Sequence, residues 1–413
     1  MSTKALNVVV IGGGAAGFFG AIACAESHPY ARVTLLEAAR KPLTKVEISG
    51  GGRCNVTHAC FDPSLLVQHY PRGSKALRGA FTRFQAKDTI AWFECRGVQL
   101  KTEADGRMFP VTDDSATIVN CLMQSAIDAG VQLRVGAAVK SVMRSGTTFQ
   151  VQLKSGEVLE ADRLLLATGS SPVGYAIAQS LGHSITPPVP SLFTFTIRDS
   201  RLQNLAGVSV NSVHLRLQIG EKTCLEQTGP LLITHWGLSG PAVLKLSAWG
   251  ARDLHDSHYQ ATLIINWLPQ YNLETLRQDL LKVKSQLAKR TIAASCPVPI
   301  PRRLWERLIE QVGIGEGSSG PVRWAELSNK TLNALVQELT RGQYRVSGKG
   351  AFKEEFVTCG GVNLKEVDFK TMESRCCPSL YFAGEILDID GVTGGFNFQS
   401  AWTTGWLAGQ AMG

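Results

Sequence analysis

The stretch NVVVIGGGAAG at residues 7–17 decides the predicted fold of the chain. A short apolar run leads directly into Gly12, Gly14 and Gly17, which have the G-x-G-x-x-G spacing, and residues 18–27 look helical. A second apolar run ends in Glu37, twenty residues after Gly17. This order of strand, glycine turn, helix, strand and acid is typical of a βαβ unit that holds a pyrophosphate at the helix N-terminus and a ribose at the acid. We therefore expect an ADP-containing cofactor.

A secretory signal peptide is the competing interpretation of residues 8–25, which are mostly apolar. Glycines interrupt this run, only Lys4 precedes it as a charged residue, and the acid-tipped second strand follows in register. These features favour the βαβ unit.

Composition sets wide limits on the class of protein. The 413 residues are 44% hydrophobic and 18% charged, which suits a globular chain of two or three domains. No run of 18 apolar residues lacks glycine, so we expect no membrane span. The ten Cys show no CxxC pair and no zinc-type spacing, which predicts no metal site and favours the reducing cytoplasm. The net charge of +8 suits an anionic partner or substrate.

Three later segments carry further glycine motifs. Residues 49–58 read SGGGRCNVTH, in which Gly51 and Gly52 predict a close backbone approach and Arg53 offers a fork for a phosphate or a flavin carbonyl. A buried strand ends in Thr168-Gly169, where a parallel sheet would present its carboxyl end to a ligand. Residues 380–397 form another strand and glycine-acid turn, followed by a predicted helix over residues 398–411 that should return to the first sheet.

The remaining patterns predict an α/β protein with an inserted β-rich region. Helical spacing covers residues 74–96 and 114–129, and alternation with period two covers residues 131–160. The predicted domains are a first cofactor-binding segment at 1–190, a β-rich insertion at 191–268 and 343–355, a helical subdomain at 269–342, and a second cofactor-binding segment at 356–413. Residues 270–353 hold 14 Lys and Arg against 7 Asp and Glu. A solvated helical surface and an anionic partner both explain this excess.

The motifs together resemble a known family of flavoproteins. The order of the glycine turn, Gly-Gly-Arg, Ala-Thr-Gly and the terminal Phe-Ala-Gly-Glu is similar to the glutathione-reductase-type FAD fold. SGGGRCNVTH, THWGLSGP at 234–241, TCGGV at 358–362 and the segment at 384–402 resemble the BaiN-like, or aminoacetone-oxidase-type, FAD-dependent oxidoreductases. The resemblance implies a discontinuous Rossmann-type FAD domain with a β-barrel-like insertion and a helical subdomain. It also implies that Glu385 binds the ribityl chain and that residues 393–398 lie near flavin N1 and O2.

The predicted FAD contacts come from every motif, and Val139 is added as an adenine-side backbone contact. They are Gly12, Gly14, Ala15, Ala16, Gly17, Glu37, Ala38, Lys45, Gly51, Gly52, Arg53, Cys54, Asn55, Val139, Thr168, Gly169, Gly384, Glu385, Gly394, Gly395, Phe396 and Asn397.

The predicted activity is transfer of hydride from reduced FAD to an electron-poor C=C or C=O bond. No second G-x-G-x-x-G is present, so NAD(P)H would act as a transient co-substrate or another donor would replace it. His235 and Cys54 are the candidate catalytic residues. The alternatives for these two residues are a structural role for His235 in its turn and a role for Cys54 as a small buried residue. The alternatives are a flavin-dependent RNA uridine reductase whose Lys282, Lys284, Lys289 and Arg290 engage phosphates, an FAD oxidase, and a non-catalytic redox sensor. Both a monomer and a homodimer remain open.

Overall fold

The computed structural model describes residues 5–220, 223–314, 320–350 and 357–413. The chain forms two compact units, one of residues 1–189 and 357–413 and the other of residues 190–356. Among the described residues, no helix is both long enough and apolar enough to cross a membrane.

The described residues form the following α-helices and β-strands. The α-helices are α1 Ala15–Ser27, α2 Thr44–Gly52, α3 Pro63–Leu66, α4 Ser74–Phe81, α5 Ala86–Glu94, α6 Ala116–Asp128, α7 Pro172–Ser180, α8 Pro241–Trp249, α9 Ala251–Asp256, α10 Leu273–Gln286, α11 Arg302–Gln311, α12 Asn329–Arg341 and α13 Phe396–Ala411. The strands are β1 Leu6–Ile11, β2 Ala31–Leu36, β3 Thr57–His58, β4 Leu100–Thr102, β5 Arg107–Pro110, β6 Gln132–Arg134, β7 Val139–Ser145, β8 Thr148–Leu153, β9 Val158–Ala161, β10 Arg163–Leu166, β11 Ile185–Ser191, β12 Phe195–Thr196, β13 Ser209–Ile219, β14 Thr223–Ile233, β15 Gly237–Ser239, β16 Ala261–Asn266, β17 Gly342–Val346, β18 Gly348–Lys349, β19 Val357–Val362, β20 Val367–Asp368, β21 Glu373–Ser374 and β22 Leu380–Phe382.

The first unit is built on a seven-stranded sheet in the order β20-β21-β22-β10-β1-β2-β6. The five strands from β22 to β6 are parallel, with Val8 opposite Val33 and Leu165 opposite Tyr381. Their apolar sequences fit burial on both faces of a parallel sheet. This topology brings the carboxyl ends of β1, β2, β10 and β22 to one edge, which is where ligands bind in such sheets.

Helices α1 and α13 lie against each other in the same direction, through small residues. A Cβ atom added to Gly405 would lie 2.6 Å from the Ala16 carbonyl oxygen, and one added to Gly409 would lie 2.6 Å from that of Gly20. Because Gly405 is level with Ala16, α13 begins eight residues, or about 12 Å, beyond the start of α1. Two helix N-termini therefore point toward the same side of the unit, one further out than the other.

The second unit is a curled seven-stranded sheet with helices on it. Its strand order is β17-β16-β13-β14-β15-β12-β18. Only Ser347 separates the two edge strands in sequence, and its N–H donates to the Thr196 carbonyl at 2.9 Å, so the sheet curls round as in a barrel. Trp267 of the sheet side and Trp305 and Leu332 of α11 and α12 belong to one buried cluster, so the predicted helical subdomain shares its core with the sheet.

Two predicted elements differ from the observed ones. The helix expected over residues 74–96 is two helices, α4 and α5, and Asp88 accepts the Gln85 N–H at 2.8 Å to cap the second. The last helix begins at Phe396 rather than at residue 398. Residues 50–52 lie within the bounds of α2 but have positive φ angles of 59°, 71° and 84°, so they break the regular helix, as a glycine run allows.

Candidate FAD site

The glycine turn after β1 has the geometry of a pyrophosphate site. Gly12 has φ +113°, and a Cβ there would lie 2.3 Å from the Ala167 carbonyl oxygen. A Cβ on Gly17 would lie 1.8 Å from the Gly12 oxygen, whereas Gly14 has no atom within 4 Å of such a position. The backbone N–H groups of Ala15 and Ala16, at the start of α1, have no partner among the described residues. The turn thus leaves open space and free donors where phosphates are expected.

Glu37 lies at the end of β2 beside this turn. Its two carboxylate oxygens accept the N–H groups of Gly13 and Ala39, each at 2.7 Å. The Ala137 N–H donates to the Glu37 carbonyl at 2.8 Å, which brings the start of β7 at Val139 to the same place. The carboxylate keeps further lone pairs for the hydroxyls of a ribose. Ala38 is exposed directly after it.

Predicted residues from four segments meet around Glu385. Lys45 Nζ lies 2.6 Å from one oxygen of Glu385, and the Thr358 N–H donates to the other at 3.0 Å. A Cβ on Gly169 would face Glu385 at 3.6 Å, and one on Gly384 would lie 2.7 Å from Ala16 Cβ. The carboxylate therefore stands next to the start of α1, as the ribityl assignment requires.

Three buried polar atoms at this edge have no hydrogen-bond partner among the described residues. They are Thr168 Oγ1, Tyr175 OH and Asp388 Oδ1. Burial, together with the charges of Glu385 and Asp388, raises the pKa of Tyr175, so its hydroxyl stays protonated and able to donate. Since buried polar groups are almost always hydrogen-bonded, three orphans around one carboxylate indicate a polar ligand. A polyol phosphate such as the middle part of FAD fits this set of donors and acceptors.

The N-terminus of α13 supplies the next part of the site. The N–H groups of Phe396, Asn397 and Phe398 have no acceptor in the described ranges, as befits the first turn of a helix. The side-chain oxygen of Asn55, with the amide assigned from its hydrogen bonds, accepts the Gly395 N–H at 2.9 Å. Asn397 pairs its amide with both backbone groups of Gly391, so only its main chain faces a ligand. The helix dipole at this end would stabilise negative charge on a flavin.

Gly51, Gly52 and Arg53 lie at the end of α2. The two glycines have open space around them. The Arg53 guanidinium, in contrast, bonds Glu103 at 2.7 Å and lies 4.0 Å from the centre of the Phe109 ring. These contacts direct its fork toward residues 103–113, and its role toward a phosphate or flavin carbonyl stays a prediction.

Cys54 and His235 are the two predicted catalytic residues. Cys54 is fully buried, and burial raises the pKa of its thiol to about 12, so it is a neutral thiol at physiological pH. His235 is exposed in the turn between β14 and β15 of the second unit. The catalytic roles of both stay predictions.

Sequence reasoning missed two groups in the first unit. Tyr175 lies in an apolar helical pattern that reads as core. His58 and His69 stack on the Phe396 ring, with ring centres 4.6 Å and 4.2 Å away, and His58 Nδ1 contacts the Gly394 carbonyl oxygen at 3.0 Å. These two His are 11 residues apart and come together only through α13, so no local spacing reveals them.

A cluster of His183, Glu366 and Cys376 has metal-ligating atoms within 4.8 Å of one another. Ser374 Oγ accepts the N–H groups of Cys376 and Cys377, so its hydroxyl donates to His183 Nε2 at 2.8 Å. His183 then carries its proton on Nδ1, which faces Glu366 at 3.1 Å. The proton on His183 Nδ1 thus lies between His183 and Glu366, where a metal ion would otherwise bind. We explain the cluster as a chain of hydrogen bonds rather than as a metal site.

Along this edge the site offers positions for an adenosine ribose, a pyrophosphate, a polyol and an anionic ring edge, in that order. These are the parts of FAD. The fold and the site together define an FAD-dependent oxidoreductase with a Rossmann-type FAD domain. When bound, FAD would supply hydride chemistry, and the residues above would hold and polarise it.

The chain belongs to the HI0933-like family, whose Rossmann domain matches residues 6–411. It is 34% identical to the ribosomal RNA dihydrouridine synthase of Escherichia coli K12, over 98% of this chain and 97% of that protein. It is 30% identical to the 3-dehydro-bile acid delta(4,6)-reductase of Clostridium scindens, over 98% of both. The solved 3-ketosteroid delta1-dehydrogenase of Sterolibacterium denitrificans shares the fold, with a TM-score of 0.51 at 12% identity over 98% of this chain and 99% of that one.

Proposed function

We propose that this FAD-dependent oxidoreductase reduces the C5=C6 bond of uridine in ribosomal RNA to give dihydrouridine. The observation that carries the proposal is the similarity to the Escherichia coli ribosomal RNA dihydrouridine synthase over nearly the whole of both chains. A substrate in ribosomes also agrees with a cytoplasmic enzyme.

The reaction adds one hydride and one proton across the double bond. The hydride comes from reduced flavin, and NAD(P)H or another donor restores it. A side-chain acid must deliver the proton to the second carbon. His235 and the neutral thiol of Cys54 are the candidates, and the helix α13 N-terminus offers three N–H groups for the flavin pyrimidine edge.

Exposed cations of the second unit support an RNA substrate. Lys282 pairs with Asp279 at 2.9 Å and Lys284 donates to the Leu327 carbonyl, so these two are less suited to phosphates than expected. Lys289, Arg290 and Arg323 are exposed and form no ion pair with any described residue. They are neighbours, because the Trp324 N–H donates to the Arg290 carbonyl at 3.0 Å and residues 291 and 323 form a β-bridge. We call these three residues the cation cluster.

The test is to incubate the purified holoenzyme and NADPH, without oxygen, with ribosomal RNA from cells that lack the gene. Nucleosides from the digested RNA are then separated and weighed by mass spectrometry. We expect dihydrouridine, two hydrogens heavier than uridine, only with enzyme and donor. RNA that stays unreduced under every donor able to reduce the flavin would contradict the proposal.

Reduction of a conjugated C=C bond in a small ketone is the second candidate, favoured by the similarity to the bile acid reductase. The same anaerobic assay with a dienone steroid separates the two. Rapid reoxidation of the flavin by the steroid, with none by RNA, would select the second function.

A further inference from the structure

We propose that Trp236 is a stacking platform for an unpaired base of the RNA substrate, with Arg198 beside it for the neighbouring phosphate. This inference rests on the proposed function, since it names the part of the RNA that the second unit would hold.

Trp236 is displayed outward on the turn between β14 and β15. Its side chain is 64% exposed, whereas Trp267, Trp305 and Trp324 of the same unit are at most 1% exposed. No other aromatic ring covers it among the described residues. A tryptophan placed in this way offers a large apolar π-face to solvent.

The turn that carries Trp236 is tied down by its own hydrogen bonds. Thr234 Oγ1 accepts the N–H groups of Trp236 at 3.3 Å and Gly237 at 3.2 Å, and the Thr234 N–H donates to the Gly237 carbonyl at 2.8 Å. Gly237 has φ +151°, and a Cβ there would lie 2.3 Å from the Phe195 carbonyl oxygen, so β12 fits tightly against the turn. The backbone that carries the ring is thus held in place, which lowers the entropy cost of ordering the turn when a ligand binds.

A cation lies on the chain segment that pairs with this turn. The Ile197 N–H donates to the Trp236 carbonyl at 3.0 Å, so the next residue, Arg198, lies across from His235 at the end of the ladder. Arg198 and His235 are both exposed, and Arg198 forms no ion pair within the described ranges. Residues 190–356 as a whole carry 20 Lys and Arg against 14 Asp and Glu.

An aromatic face next to an arginine matches the chemistry of single-stranded RNA. Sequence-specific RNA recognition targets unpaired bases, which stack on aromatic side chains while cations take the phosphates. A uridine must be unpaired and unstacked before a flavin can reach its C5=C6 bond, so the substrate supplies such a base. A protein partner would need a wider apolar surface around Trp236 than one ring and the partly exposed Leu232 provide.

The test compares holoenzyme variants for binding of single-stranded oligouridylate and for the KM of ribosomal RNA in dihydrouridine formation. We expect Trp236→Ala to weaken binding and raise KM about tenfold, and Trp236→Phe to keep most of both, because a base stacks on phenylalanine as well. Arg198→Gln should weaken binding and flatten its dependence on salt. Trp249→Ala is the matched control, since Trp249 is also exposed, at 41%, but lies at the far end of α8.

Each alternative result has a separate meaning, provided that the variants retain FAD and the melting temperature of the parent. Unchanged binding and KM in Trp236→Ala would overturn the stacking platform while dihydrouridine formation still stands. If the parent forms no dihydrouridine but Trp236→Ala alone loses oligouridylate binding, the platform stands and the proposed reaction fails. If Trp236→Ala changes only the sedimentation of the protein, a second copy of the chain occupies this surface and the platform is overturned.

Discussion

Single polar atoms without partners mark the position of the cofactor in this protein. Thr168 Oγ1, Tyr175 OH and Asp388 Oδ1 are each buried and unsatisfied. Leaving such groups unpaired costs roughly 1–3 kcal/mol apiece, so three of them close together favour a ligand that completes their hydrogen bonds, whereas Gln85 Oε1 and Trp267 Nε1 are single unpaired atoms elsewhere. The gathering of the three around Glu385 makes the middle of FAD the ligand that fits.

Tyr175→Phe tests this explanation, because it removes only the unpaired hydroxyl. We expect the affinity of the apoprotein for FAD to fall about tenfold, which corresponds to about 1.4 kcal/mol. Quenching of flavin fluorescence on titration of the apoprotein measures it. Tyr381→Phe is the control, since the Tyr381 hydroxyl is not at the Glu385 site and donates to the Ala411 carbonyl at 3.1 Å. Equal affinity in both variants would show that Tyr175 does not bind FAD.

His183 should make the stability of the first unit depend on pH. Burial lowers its pKa, although Glu366 acts in the opposite direction, so the unfolded chain takes up the proton first as pH falls. The stabilising contribution is therefore complete above the unfolded pKa of about 6.5 and declines as pH falls below it. Urea unfolding at several pH values should show this decline in the parent and a weaker one in His183→Gln. An identical decline in the variant would assign the effect to other groups.

At the scale of elements, the helix pair α1 and α13 sets the length of the site. Glycines at the crossing let the backbones touch, and the offset of about 12 Å separates the pyrophosphate donors from those near the flavin. The small residues of α13 were predictable as one apolar face. Their partner on α1, nearly 400 residues earlier, was not, since nothing local in either helix encodes the crossing.

Gly405→Ala should disturb this crossing. The added methyl would lie 2.6 Å from the Ala16 carbonyl oxygen, so we expect a loss of about 1–3 kcal/mol in unfolding free energy, as in an overpacked core, and weaker FAD binding. Gly79→Ala in α4 is the control: it is exposed, has no atom within 4 Å of the new Cβ, and should stabilise slightly. Urea midpoints measure both. Equal stability of Gly405→Ala and the parent would show that the helices can separate without cost.

At the scale of the whole molecule, the excess positive charge is distributed unevenly. Residues 190–356 hold most of it, and the cation cluster is one part of the helical surface that internal carboxylates leave unpaired among the described residues. The charge count in the sequence located the excess and named four cations: Lys289 and Arg290 belong to the cation cluster, whereas the side chains of Lys282 and Lys284 have partners within the fold. Which cations are free depends on how the end of α10 meets residues 323–325.

Reversing the cation cluster with K289E, R290E and R323E should weaken binding of ribosomal RNA fragments by at least about tenfold at low salt. It should also lower the slope of log affinity against log salt, by about 0.7 for each phosphate of a single strand that the protein no longer neutralises. Filter binding across a salt series measures both quantities. The control reverses Lys75, Lys87 and Lys365, which are exposed in the first unit and give the same change of net charge. Equal weakening in both variants would show that net charge alone attracts RNA.

The sequence by itself predicted an ADP-containing cofactor, because a βαβ unit encodes its glycine turn, helix and acid within thirty residues, and the later glycine motifs with the family resemblance made that cofactor FAD. Only the tertiary structure decided what those contacts face. It sent the Arg53 fork to Glu103, placed Tyr175 and Asp388 beside Glu385, stacked two His on Phe396 and split the helix expected over residues 74–96. Each of these depends on residues far apart in the chain, and the partner of a side chain across such a distance is fixed by packing rather than by local spacing.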